Sequence, residues 1–497
     1  MKTSILKTCG AGLNRLFSLT AMLALLLLSV TARAEVFGIT GTSFNLTARA
    51  GYISLGDGGS IYSWGYGERT NPLMQLPGPT LIVNQGDTVT VTLTNTLPVA
   101  AGNTSIVFPG QNVTPTGGVT GALTNEAPPG GTVTYTFTAG KPGTYQYHSG
   151  TQTDLQVEMG LFGALIVRPS QAAIDAYDNG DGTTGFSCTT GQPAYANPST
   201  CYDIEYLYVL SEIDINTHQA AEQQAGGTGP IKLPEGSYVS EYWLMNGRVG
   251  PDTMTASTAP GQGILPSQPY GSLTRMNPGQ RLLMRVVGAG REMHPFHHHG
   301  NHARMIAVDG ELLVNSAGHL SGPLVFTVPS IPGQTADAIF EWTGKELGWD
   351  MFGSDVAREH TCNGQAMYQH MVANDINTPI LTDGTGAPLK NPNAAPLPTD
   401  PDVYDPDTHE WCKDHGAEIP VTLPDLTNLA FGGFYSGSPY LGYLGSLPPG
   451  EGGLNPNAGF AFMWHSHTER ELTNNDIFPG GMMTMLIVEP PSVKIEK

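Results

Sequence analysis

Glycine and proline make up more than a fifth of this chain, 63 and 39 of its 497 residues. Punctuation at that density breaks long helices, so a coiled coil or helical array is excluded. Between the breaks the apolar residues alternate. Val89, Val91 and Leu93 are interleaved with Thr88, Thr90, Thr92 and Thr94, and Val133, Tyr135 and Phe137 repeat the pattern. A period of two is a strand with one buried face. Leu161 to Val167 is a near-continuous apolar run, which reads as a central strand. Further strands are expected at 281–287, in two pieces over 326–340, at 460–463 and at 484–488. The expected fold class is all-β, with many short strands.

Charge narrows the function. Only 13% of residues are charged and the formal net charge is −21. No basic face is available to neutralise phosphates, so a nucleic-acid partner is not expected. Lys2, Lys7 and Arg15 precede or open an apolar stretch from Leu16 to Val30, and Ala32-Arg33-Ala34 follows. This is the pattern of a signal peptide cleaved before Glu35, leaving no membrane span, so a periplasmic or secreted location is expected; an uncleaved membrane anchor is the weaker alternative. Cys9 would leave with it. The remaining Cys188, Cys201, Cys362 and Cys412 form an even set that pairs most simply as 188–201 and 362–412. A Cys-based metal site is the weaker alternative, since there is no CxxC and no Cys in a His cluster.

The chain divides into a signal (1–34), a first β domain (35–170), a Cys-bearing linker (171–201), the first part of a second β domain (202–345), an insertion (346–457) and a C-terminal completion of the second domain (458–497). The insertion is rich in Pro, Asp, Gly and Tyr and carries no sustained periodicity.

The chemistry lies in histidine. There are 14, and five crowd into His294, His297, His298, His299 and His302. On a strand, residues i and i+2 share a face. His297 and His299 would point together and His298 away from them. A second pair of the same spacing is His465 and His467. Two such strands side by side bring four imidazoles to one point, a donor set suited to copper, zinc, iron or nickel. His298 and His302 are expected at the surface.

The segment HPFHHHGNHARMIAVDG (294–310) resembles the HPFHLHGH motif of multicopper oxidases. MWHSHTERELTNNDIFPGGMM (463–483) is similar to their C-terminal HCHxxxHxxxxM motif, YQYHSGTQTDLQVEMGLFGALIVRP (145–169) to their HSH segment, and LPGPTLIVNQGDTVTVTLTN (76–95) to their opening strand pair. The resemblance implies two cupredoxin-like Greek-key β-sandwich or barrel domains, the second with a long loop-rich insertion. It implies copper as the cofactor, with His148, His297, His299, His465 and His467 as ligands and His294 and Met482 as weaker candidates.

The departures from the motifs are informative. Blue copper needs a Cys thiolate, two His and a weak axial Met. Here Ser466 stands at the Cys and Glu471 at the next His. The first HWHG motif is replaced by Ser105-Ile106-Val107-Phe108-Pro109-Gly110, and HSH has become His148-Ser149-Gly150. The expectation is a degenerate family member without blue copper, holding a reduced His-only site. Copper-dependent oxidation of a small reductant or metal ion leads. A non-catalytic copper-binding or buffering protein and a structural cupredoxin scaffold remain open. The resemblance also allows a homo-oligomer such as a trimer.

Overall fold

The structure is a computed structural model that describes residues 36–342, 453–457, 459–490 and 493–496, with short strand pairs at 32–33, 404–405 and 410–411. Of the expected leader, Ala32–Arg33 pair in parallel with Ile495–Glu496, and the rest lies outside the described residues. So do almost all of the expected insertion, Cys362, Cys412, and the insertion histidines His360, His370, His409 and His415.

Strands dominate and build two β-sandwiches. In the first, a five-stranded sheet runs in the order Ser60–Glu68, Ser43–Ser54, Thr88–Asn95, Thr132–Thr138, Thr114–Gly117. It faces a four-stranded sheet ordered Gly143–His148, Phe162–Arg168, Leu81–Asn84, Ile39–Thr40. Thr88–Asn95 alternates as read: Val89, Val91 and Leu93 are buried, and the threonines between them are half-buried. They pack with Val133, Tyr135 and Phe137 from the antiparallel neighbour around Trp64, Tyr66 and Tyr147. Alternation produces this core because successive side chains of a strand leave on opposite faces.

The second sandwich sets the site. Its larger sheet centres on Ile204–Ile213, Arg281–Gly288, Thr335–Glu341 and Ala303–Val308. Its smaller sheet is ordered Thr274–Met276, Met483–Val488, Phe460–Ser466, His294–His298, Thr327–Ser330. Residues from 459 onward thus enter the same sandwich as residues before 342. Between the sheets lie Tyr208, Phe296, Phe340, Trp464 and Met482.

The sandwiches meet through an apolar seam. Ile53, Leu76, Phe162 and Ile166 of the first pack against Leu207, Val209, Leu244 and Val287 of the second. Polar contacts frame the seam. Arg285 donates to Glu205 at 2.8 Å and to Thr144 Oγ1 at 2.9 Å, and Thr144 donates to Asp337 at 2.6 Å. The segment between the sandwiches is pinned by a disulfide and by packing on the second sandwich. Cys188 and Cys201 are disulfide-bonded with Cα atoms 5.7 Å apart, and Ala194, Tyr195 and Tyr202 pack beside Ile306 and Ile339.

The longest helix among the described residues escaped the sequence reading. Ile215–Gln224 is capped by Asp214, whose carboxylate accepts from the Asn216 and Thr217 amides. It buries Thr217, His218 and Ala221 only, so the apolar stripe that announces a helix is missing. Among the described residues no helix is long and apolar enough to cross a membrane.

Candidate metal centre

The two HxH segments are neighbours. His294–His298 pairs antiparallel with Phe460–Ser466, setting His297 opposite His465, His298 opposite Trp464 and Phe296 opposite Ser466. That register sorts the side chains by face. One nitrogen each of His297, His299 and His465 lies within 4.8 Å of the other two. The strand ends at His298, so His299 stands just past it. Gly300 follows at φ +106°, a value side-chain-bearing residues rarely adopt. This turn redirects the chain directly after the third donor.

The donors are held in a metal-ready form. The His465 Nδ1–H donates to the Ser466 carbonyl at 2.6 Å, which leaves its Nε2 lone pair 3.3 Å from His299 Nε2. His297 Nδ1 sits 3.1 Å from Thr327 Oγ1 on the next strand. Such contacts fix ring orientation and tautomer. Burial and then the neighbouring histidines push His297 down to about 4 and His299 to about 3, and burial lowers His465 as well. At neutral pH all three are uncharged bases facing one another, and that arrangement suits a cation.

The other expected ligands fall elsewhere. The His467 ring lies 4.8 Å from that of His297 and stacks on His465, yet its side chain is more than half exposed. It borders the trio without its donor joining it. His148 belongs to the first sandwich; its Nδ1–H donates to the Ser149 carbonyl, and its strand end bridges to Val107. The degenerate stretch 105–110 therefore lies beside His148, but His148 is not among the three converging residues. Met482 is fully buried in the sandwich core.

His294 is occupied otherwise. Fully buried, it donates from Nδ1 to Glu471 at 2.9 Å and from Nε2 to Glu212 at 3.0 Å. Burial pulls its pKa down, but the two carboxylate hydrogen bonds outweigh that and raise it to about 9. Both nitrogens carry protons, so neither offers a lone pair. Ser466 Oγ donates to the same Glu471 oxygen at 2.5 Å. A serine hydroxyl, a carboxylate and an imidazolium thus fill the positions where the resemblance expects blue-copper ligands.

His298 corrects the surface expectation. It is completely buried, between the Phe340 and Trp464 rings. Burial, then His297 and His302, push it down to about 3. The face opposite the trio is the sandwich interior, so the middle histidine of the run points into apolar surroundings.

This architecture is a pair of cupredoxin-type sandwiches with a three-histidine cluster on the second. Residues 73–172 match the family model described as multicopper oxidase. That segment is of the multicopper oxidase family, whose members use copper. Over 98 residues the chain is 40% identical to laccase abr2 of Aspergillus fumigatus, covering 19% of this chain and 16% of that protein. Over 100 residues it is 41% identical to L-ascorbate oxidase of Cucurbita pepo var. melopepo, covering 20% and 17%. Over 105 residues it is 36% identical to copper resistance protein A of Pseudomonas syringae pv. tomato, covering 21% and 16%. The chain spans about a sixth of the length of these curated relatives. Among solved structures, blue copper oxidase from Nitrosomonas europaea superposes with a TM-score of 0.47 at 18% identity, covering 90% of this chain and 85% of that one.

Proposed function

We propose that this is an exported copper-dependent oxidoreductase with a reduced His-only copper site. The observation that carries the reading is the convergence of three neutral imidazoles, His297, His299 and His465. Three imidazoles, two of them anchored at their outer nitrogens, fit one copper ion. The surroundings of Ser466 do not fit a blue copper, because no sulfur is offered at that position and Glu471 already bonds His294 and Ser466. Copper bound at the trio would supply one-electron chemistry, cycling between Cu(I) and Cu(II).

The chain's own residues shape what can react there. With no thiolate to relay electrons, a small reductant or a metal ion must reach the trio directly. His467, half in solvent at the edge of the cluster, marks the approach and is the nearest further donor. His148, on the other sandwich, is outside the trio; a trimeric assembly in which another copy brings its His148 to the copper would add a donor. Export rests on the leader pattern at 1–34 and on the Cys188–Cys201 disulfide.

The missing thiolate favours a second reading, a protein that holds or buffers copper without turnover. Loading the purified protein with Cu(II) separates the two. The oxidoreductase reading expects bound copper with no intense blue band and an EPR signal that shifts on adding azide. Bound copper indifferent to azide supports buffering. No bound copper refutes both.

A further inference from the structure

The substitutions at Ser466 and Glu471 look like simple losses, but the geometry gives them a joint role. Glu471 follows His467 by four residues, in the short 3-10 turn Glu469–Leu472, and its carboxylate turns back into the protein to near-complete burial. One of its oxygens accepts from both Ser466 Oγ and His294 Nδ1. Ser466 is the residue between His465 and His467, and the Thr468 amide donates to its hydroxyl at 3.2 Å. His294 lies on the strand that carries His297. Its other nitrogen meets Glu212, which also accepts from the Glu292 amide at 3.1 Å and from the Arg291 amide. Two backbone bonds complete the joint: Met482 N donates to the Glu471 carbonyl at 2.8 Å, and His467 N to the Pro295 carbonyl at 2.9 Å.

Alternation puts Ser466 and His294 on the face opposite the histidine trio. The network therefore contributes no donor to that face, yet it ties together the two strands that do. We infer that Glu471 is a positioning residue, a buried clamp that joins the His465-bearing strand to the His297-bearing strand from behind and so fixes the spacing of the copper ligands. The inference rests on the proposed copper site, while the clamp itself can be read without metal. Loss of a partner that orients metal ligands typically weakens metal binding by about 10–100-fold.

Three variants test it: Glu471→Ala, Glu471→Gln and Ser466→Ala. Glutamine keeps the shape, and its amide oxygen can accept from both the Ser466 hydroxyl and the His294 Nδ1–H; alanine can do neither. On the metal-free protein, hydrogen exchange of the 463–473 amides should quicken in Glu471→Ala and stay at the parent rate in Glu471→Gln. Copper affinity, measured by competition with a chromogenic chelator, should fall about tenfold in Glu471→Ala, with a broadened EPR signal, and remain parent-like in Glu471→Gln. If Glu471→Ala does not fold, Ser466→Ala carries the test, with faster exchange and weaker copper binding expected. The clamp is overturned if the folded alanine variants keep parent exchange and parent affinity. It is also overturned if Glu471→Gln is as damaged as Glu471→Ala, since charge rather than position would then be at work. If copper survives His297→Ala and His465→Ala, the copper site falls, and the exchange rates alone decide the clamp.

Discussion

The two faces of one strand pair treat histidine in opposite ways. On the face shared by His297, His299 and His465 the rings are neutral and turned toward one another, His297 and His465 anchored at their outer nitrogens. On the opposite face His294 is charged between two carboxylates, and four residues along His298 is buried between the Phe340 and Trp464 rings. The same side chain serves as candidate ligand, buried cation and apolar filler within six residues. What distinguishes these roles is the face and the partner that arrives there from elsewhere in the chain.

The largest effect should come from removing the buried cation. His294→Ala leaves Glu212 and Glu471 facing each other without a proton donor between them. Breaking a buried ion pair by deleting one partner costs about 3–5 kcal/mol. Chemical denaturation should show a loss of that size, and a loss below 1 kcal/mol would mean that the triad is not charged.

Alkali should attack the same region more gently. The proton of His294 is held to about 9, and burial holds that of Glu158 to about 8, the Asp214 amide and Arg291 opposing and Glu212 assisting. Both groups bind protons more tightly folded than unfolded. Their stabilisation is complete below the unfolded values and is lost as pH rises, from 4.5 to about 8 for Glu158 and from 6.5 to about 9 for His294. The melting temperature of metal-free protein should therefore fall between pH 7 and 9.5. The part of the fall due to His294 should vanish in His294→Gln, and an unchanged slope there would contradict the assignment.

His298 should behave in the contrary sense. A buried polar atom without a partner costs about 1–3 kcal/mol, and at least one His298 ring nitrogen lacks one, so His298→Leu should be neutral or stabilising by up to about 1 kcal/mol. A loss of several kcal/mol would show that its nitrogens are satisfied. The smallest expected effect is spectroscopic. Ser466→Cys alone should not give the blue charge-transfer band, because Glu471 stands where a second imidazole is needed and His294 is protonated. An intense blue band in that single variant would show that the clamp yields to metal.

Much of this was legible in the sequence because it is local. Alternation at 88–95 named the buried residues of that strand, and HxH spacing assigned His297 and His298 to different faces. The Cys188–Cys201 pairing followed from an even cysteine count. What was not legible depends on distant residues. Glu212 and Glu471 meet His294 across sequence separations of 82 and 177, and no spacing rule reports that. His298 was expected outside, as a histidine beyond the family pattern, yet parity fixes only that it faces away from His297. Which side is the core depends on Phe340 and Trp464 arriving from other strands. The helix at Ile215–Gln224 went unread because a polar cap, rather than an apolar stripe, marks its start.

The central claim is that copper is held by the trio face and by both strands together. Copper stoichiometry of His465→Ala, His299→Ala and His298→Ala, each loaded with Cu(II) and desalted beside the parent, tests it most directly. The trio predicts that His465→Ala and His299→Ala lose most of the metal while His298→Ala keeps it. A His465→Ala protein with parent copper content, beside a His298→Ala protein with none, would place the metal on the other face and contradict the account.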